Sequence, residues 1–121
     1  MARSALILFA HGARDPRWAA PFERVLDRVR RAAPERAPML AFLELMAPDL
    51  PTAIAAQAER GFNAVTIVPL FLGPGGHLRN DLPRIAAEAR SRHPGMSIEV
   101  LQPAGEDEGV IAAIAAYSLT G

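Results

Sequence analysis

A chain of 121 residues, half of them hydrophobic, can bury one core and is too short to divide into two independent domains. Its 13 basic residues, all arginine, balance 13 acidic ones, so no global field draws it to nucleic acid or to an anionic membrane. The absence of cysteine removes disulfides, thiolate metal sites and cysteine nucleophiles together, which leaves histidine and carboxylates for any metal chemistry.

The N-terminal MARSALILFAHG holds an apolar run too short for a signal sequence or a membrane span, which implies a soluble, cytoplasmic protein. Within it, ALILFA (5–10) predicts a first strand. Phe22, Val25, Leu26, Val29 and Ala33 then fall on one helical stripe. Asp15 and Pro16 stand where an N-cap and a first helical residue belong, and Pro34 closes the segment. A second strand is predicted over Met39 to Leu45, followed by a helix that opens at Asp49, holds Pro51 in its first turn and ends at Gly61. The third strand is AVTIV (64–68). Proline cannot donate in a central ladder, so Pro69 is assigned to the exit loop. A third helix runs from Asn80 or Asp81, with Pro83 in its first turn, to Arg92, where His93, Pro94 and Gly95 stop it. SIEVL (97–101) predicts the fourth strand. The last helix, 107–119, places Val110, Ile111, Ile114 and Ala115 on one face.

Four β-α pairs with short connections and nearly continuous apolar strands imply a parallel sheet covered on both faces. The expected architecture is a flavodoxin-like α/β three-layer sandwich in a single domain, with strand order 2-1-3-4. In such a sheet the functional crevice lies beyond the carboxyl ends of the strands, at the switch point between the first and third. His11 follows strand 1 directly, Glu44 stands near the end of strand 2, and His77 closes the loop after strand 3.

Taken singly, His11 can satisfy a turn, Glu44 can lean outward from an edge strand, and His77 can cap a helix. Their convergence on one edge points instead to a site. Two imidazoles and a carboxylate suit a divalent ion such as Co²⁺, Fe²⁺, Ni²⁺ or Zn²⁺ and leave coordination positions open. His93, at a helix C-terminus, is given no chemistry.

The stretch FLGPGGHLRND (71–81) invites a phosphate-loop reading, but the chain has no lysine, which excludes a Walker-type site. Its glycines instead permit close approach of something flat, with Phe71 and Leu72 beside it. Arg14, Arg17, Arg79 and Arg84 are placed to meet carboxylates at the rim of such a ligand, or to be solvated first-turn charges.

The segments LFAHGARDPR, FLELMAPDLPTAI and VTIVPLFLGPGGHLRNDLP, in that order and spacing, give the chain a resemblance to the small sirohydrochlorin chelatases, the CbiX and SirB group of class II tetrapyrrole chelatases. The resemblance spans nearly the whole chain. It implies insertion of a divalent metal, cobalt ahead of iron, into the anionic tetrapyrrole sirohydrochlorin on the route to cobalamin or siroheme. It also implies that the metal is a substrate, with no tightly bound cofactor. By position, His11 and His77 would bind the metal, His11 would also accept a pyrrole proton, and Glu44 would be the nearby carboxylate. Leu72, Gly73, Pro74, Gly75 and Gly76 would line the macrocycle, and Arg14 and Arg79 would meet its carboxylates.

Two positions depart from the family pattern: HGARDP replaces the common HGSRDP, and Ala47 stands where a second acid often follows Glu44. Larger relatives hold two such α/β halves around one cleft, so the resemblance implies a homodimer here. Two other classes remain open: a metal or tetrapyrrole carrier without turnover, and a histidine phosphatase. The second lacks its usual arginine, because Ala10 precedes His11.

Overall fold

The computed structural model describes residues 4–73 and 75–121 and, at His77, the backbone alone. Its four strands, β1 (Ala5–Ala10), β2 (Met39–Phe42), β3 (Ala64–Pro69) and β4 (Ser97–Val100), form one parallel sheet in the order β2-β1-β3-β4, as the apolar pattern predicted. Ile7 is paired with Met39 on one side and Ile67 on the other, which sets the register of the central strand. Helices α1 (Ala20–Ala32), α2 (Leu50–Glu59), α3 (Gly76–Arg92) and α4 (Glu108–Ser118) alternate with the strands.

Strand alternation divides the core into two layers. Ala5, Ile7, Phe9, Val65, Ile67 and Ile98 face α2 and α3, where Leu50, Ile54, Leu78 and Ala89 meet them. Leu8, Ala10, Leu40 and Phe42 face α1, packed by Leu26, Trp18 and Phe22. Fully buried side chains such as Phe9, Ile7 and Ile54 are worth about 1.5–3 kcal/mol each relative to exposure. Val25 does not join this layer and is 42% exposed, so the inward stripe of α1 is narrower than its spacing suggests. A single 3₁₀ turn, Pro16–Ala19, precedes α1, and Asp15 caps that turn through the Arg17 N–H.

Pro69 belongs to β3, against the sequence expectation, and pairs with Phe9. The hydrogen bonds explain why it is tolerated. The next residue, Leu70, donates to the Phe9 carbonyl, so the nitrogen of Pro69 faces the β4 side. There it lies one step past Ile67, which accepts the last bond of that ladder from the Leu101 N–H, so the missing donor falls at the end of the β3–β4 pairing.

The third helix also differs: it begins at Gly76, four residues before the predicted Asn80, with Gly75 as its N-cap. Pro83 therefore lies inside α3 and deprives the Arg79 carbonyl of its usual partner.

Asp49 caps α2 by accepting the Thr52 N–H at 2.9 Å, and this bond holds its carboxyl below the usual carboxylate range. Asp49→Ala is expected to lower stability at pH 7 by about 1 kcal/mol in urea unfolding. A depressed carboxylate stabilises the fold only while ionised, so this difference should shrink as pH falls through the folded pKa of Asp49. A pH-independent difference would contradict the cap as its cause.

Candidate functional site

The carboxyl edge of β1 and β2 is built by backbone first. Beyond the last residues of the two strands their exits stay hydrogen-bonded, with the Leu43 N–H donating to the Ala10 carbonyl at 3.0 Å and the Glu44 N–H to the His11 carbonyl at 3.2 Å. Gly12 follows with φ +96°, and a Cβ there would stand 1.8 Å from the Glu44 carbonyl oxygen. Only glycine lets the chain leave β1 this closely against the exit of β2.

Glu44 was expected inside strand 2. It lies instead just past Phe42, in a loop that closes when the Phe42 N–H donates to the Pro48 carbonyl. Leu45 turns that loop with φ +66°. The loop aims the carboxylate back toward β1.

The side chains of His11 and Glu44 meet there, Nε2 to Oε1 at 3.5 Å, each about half exposed. That separation is too long for a good hydrogen bond. It does match two ligands sharing one ion, since bonds of about 2.1 Å at a tetrahedral angle put the donor atoms roughly 3.4 Å apart. Phe71 sets the wall: it packs edge-on against Phe9 (centroids 5.6 Å) and edge-on against the His11 ring (6.4 Å). From the sequence alone Phe71 is only apolar surface beside the glycines. Its place directly after the Pro69–Leu70 exit of the strand beside β1 was the available signal.

Of the three residues expected to converge, the structure brings His11 and Glu44 together. His77 does not close the loop after β3; its backbone is in the first turn of α3, and its side chain lies outside the described residues, as does Pro74. Among the described residues no group of three His, Cys, Asp or Glu side chains is gathered for a metal.

Leu72, Gly73, Gly75 and Gly76 are exposed along the loop into α3. Leu72 on this loop and Leu45 on the other stand out from the same edge, 72% and 59% exposed. The loop is braced from behind by Gly105, whose N–H donates to the Phe71 carbonyl at 2.8 Å.

Arg17 is paired with Asp15 at 2.7 Å, and Arg84 with Asp81 and Glu88, which commits both to local charges. Arg14 and Arg79 are exposed and make no ion pair among the described residues. Arg79 also lines a cleft of about 490 Å³ between α3 and the ends of β3 and β4, which meets the His11 site at Phe71. Among the described residues no helix is long and apolar enough to cross a membrane.

Comparison with known proteins bears on this arrangement. The family model CbiX matches residues 5–118. A sirohydrochlorin ferrochelatase of Bacillus subtilis is 27% identical over 112 residues, covering 93% of this chain and 43% of that protein. A sirohydrochlorin cobaltochelatase of Methanopyrus kandleri is 30% identical over 81 residues, covering 67% of this chain and 57% of that protein. The chain thus spans about half the length of these relatives.

Among solved structures, a putative cobalamin biosynthesis CbiX protein from Marinobacter aquaeolei has a TM-score of 0.85 at 30% identity, covering 98% of this chain and 93% of that one. SirB from Bacillus subtilis subspecies spizizenii, in complex with cobalt, has a TM-score of 0.83 at 27% identity, covering 98% of this chain and 50% of that one. With the fold, the strand order and nearly the full length matched, the chain belongs to the CbiX family.

Proposed function

We propose that the protein inserts a divalent metal ion, cobalt or iron, into sirohydrochlorin. The observation that carries this reading is the His11–Glu44 pair, 3.5 Å apart, at the carboxyl edge of the switch-point strands. The exposed apolar side chains of Leu45 and Leu72 at that edge suit the face of a flat ring. Relatives named as sirohydrochlorin ferrochelatase and cobaltochelatase support the substrate class, and the cobalt complex of SirB supports the metal.

The reaction exchanges two pyrrole N–H protons for one divalent ion, so the site must hold a cation and dispose of protons. A neutral imidazole does either through the same lone pair, but not both at once. In this reading His11 and Glu44 hold the incoming ion, and as it passes to the ring nitrogens the freed imidazole takes up one pyrrole proton and the freed Glu44 carboxylate the other, both then passing to solvent. His77 is assigned as a further ligand. Leu72 through Gly76 lie under the macrocycle, and Arg14 and Arg79, unpaired with any acid among the described residues, meet its carboxylates. A homodimer, in which two copies build the two walls of one cleft, is part of the proposal.

The test is anaerobic mixing of the protein with sirohydrochlorin and Co²⁺ or Fe²⁺, following tetrapyrrole absorbance against the spontaneous rate. Multiple turnovers are expected. Binding of ring and metal without acceleration would make the protein a carrier, and turnover of a phosphomonoester would move it to another class.

A further inference from the structure

A histidine that hands over a metal ion has to keep one nitrogen aimed at it. Ligating imidazoles are ordinarily oriented by a hydrogen bond from the other ring nitrogen to a carboxylate or a carbonyl. His11 lacks that bond. Among the described residues its polar neighbour is Glu44, 3.5 Å away on the Nε2 side, and no acceptor meets Nδ1. The imidazole also stands at the open end of β1, half exposed, and the next residue is Gly12, which has no side chain to brace it.

What the imidazole meets instead is Phe71. The two rings lie at 81° with centroids 6.4 Å apart, and the same Phe71 ring meets Phe9 at 78° and 5.6 Å. Both contacts fall in the range where an aromatic edge and a face attract. Phe9 is wholly buried in the core between β1 and its helices, so Phe71 is seated on a close-packed part of the molecule.

The backbone fixes Phe71 from two directions. The Leu70 N–H donates to the Phe9 carbonyl at 2.8 Å, which ties the approach to β1, and the Gly105 N–H donates to the Phe71 carbonyl at 2.8 Å. Gly105 is pressed so close to the following residue that a Cβ on it would fall 1.8 Å from the Leu72 carbonyl oxygen. The ring is therefore held by the core, by β1 and by the turn after β4 before it reaches His11.

We infer that Phe71 is a positioning residue: its ring keeps the His11 imidazole in the rotamer that turns Nε2 toward Glu44, in place of a hydrogen bond on Nδ1. Staggered side-chain wells lie about 120° apart, so an imidazole that left this one would carry Nε2 away from an ion shared with Glu44. Affinity for the ion then falls in proportion to the fraction of time the competent rotamer is occupied. This inference rests on the reading of His11 and Glu44 as ion ligands; it does not need the insertion reaction.

The test is titration of Co²⁺ into the protein without sirohydrochlorin, following the visible absorbance of the bound ion. Phe71→Leu keeps an apolar side chain and loses the ring, and it should weaken Co²⁺ binding by about tenfold. Phe71→Tyr keeps the ring and should bind within about twofold of the wild type. In turnover, Phe71→Leu should raise KM for Co²⁺ and leave KM for sirohydrochlorin unchanged. The reverse split, with Co²⁺ binding intact, would make Phe71 a wall for the tetrapyrrole and overturn the inference. In the wild-type protein, three-bond NMR couplings of labelled His11 should report a single χ1 rotamer; averaging over several would overturn the inference with no variant required. Co²⁺ binding that depends on Phe71 in a protein that inserts no metal would remove the functional reading and leave this one standing. Insertion at wild-type Co²⁺ affinity in Phe71→Leu would do the opposite.

Discussion

In the proposed reaction, His11→Ala should slow cobalt or iron insertion by about 100-fold or more, toward the spontaneous rate, because that proposal gives one side chain both ion binding and proton uptake. The substitution should leave the fold almost untouched. The imidazole is half exposed, its closest charged partner is Glu44 at 3.5 Å, and its other contact is the edge of Phe71. Surface changes of this kind move stability by only about 0.5 kcal/mol. An unchanged urea midpoint beside a collapsed rate is therefore the signature expected. Glu44→Gln keeps the shape and removes the charge, so it should weaken Co²⁺ binding, followed by the visible absorbance of the bound ion. Full activity in His11→Ala would refute the site, whatever the fate of the dimer.

Gly12→Ala should be among the most damaging single methyl groups in the molecule. The left-handed backbone costs an L-residue about 1–2 kcal/mol, and here φ is +96° with the Glu44 carbonyl oxygen only 1.8 Å from the added carbon. Both partners in that clash are backbone, so no side chain can swing aside. Relief requires the exits of β1 and β2 to part, breaking the Glu44 N–H bond to the His11 carbonyl. A loss of about 3 kcal/mol or more in unfolding free energy is expected. Insertion activity should fall even at temperatures where the variant stays folded, because the His11–Glu44 spacing depends on that approach. Gly61→Ala is the control: its φ is +94°, yet nothing lies within 4 Å of an added Cβ, so only the conformational cost should appear. Equal losses at the two positions would show that the close contact with Glu44 contributes nothing.

The elements were legible where one rule acted alone. ALILFA is strand 1 from end to end because no residue in it argues otherwise. Asp49 opens α2 through its side chain and Asp107 opens α4 in the same way, as capping chemistry predicts. The misses came where two local rules competed. Pro69 was set aside as a ladder breaker, and its fate depended on β4 ending at Val100. Pro83 by itself reads as a first-turn residue, yet α3 starts seven residues earlier, at Gly76. Glu44 was placed in a strand because it interrupts apolar residues, whereas the Phe42 N–H bond to the Pro48 carbonyl pinches 43–48 into a loop.

Local periodicity and turn chemistry determined the class of this protein, its four parallel strands, their order, and the edge on which His11 and Glu44 would fall. The strands and helices depend on residues within a few positions of one another, and their order follows from the rules by which β-α units pack into a parallel sheet. The tertiary structure alone decided the 3.5 Å between the imidazole and the carboxylate, and the close approach that makes Gly12 indispensable. It also decided that Phe71 walls the site. Each of these is a contact between residues tens of positions apart, and sequence spacing carries no measure of such distances.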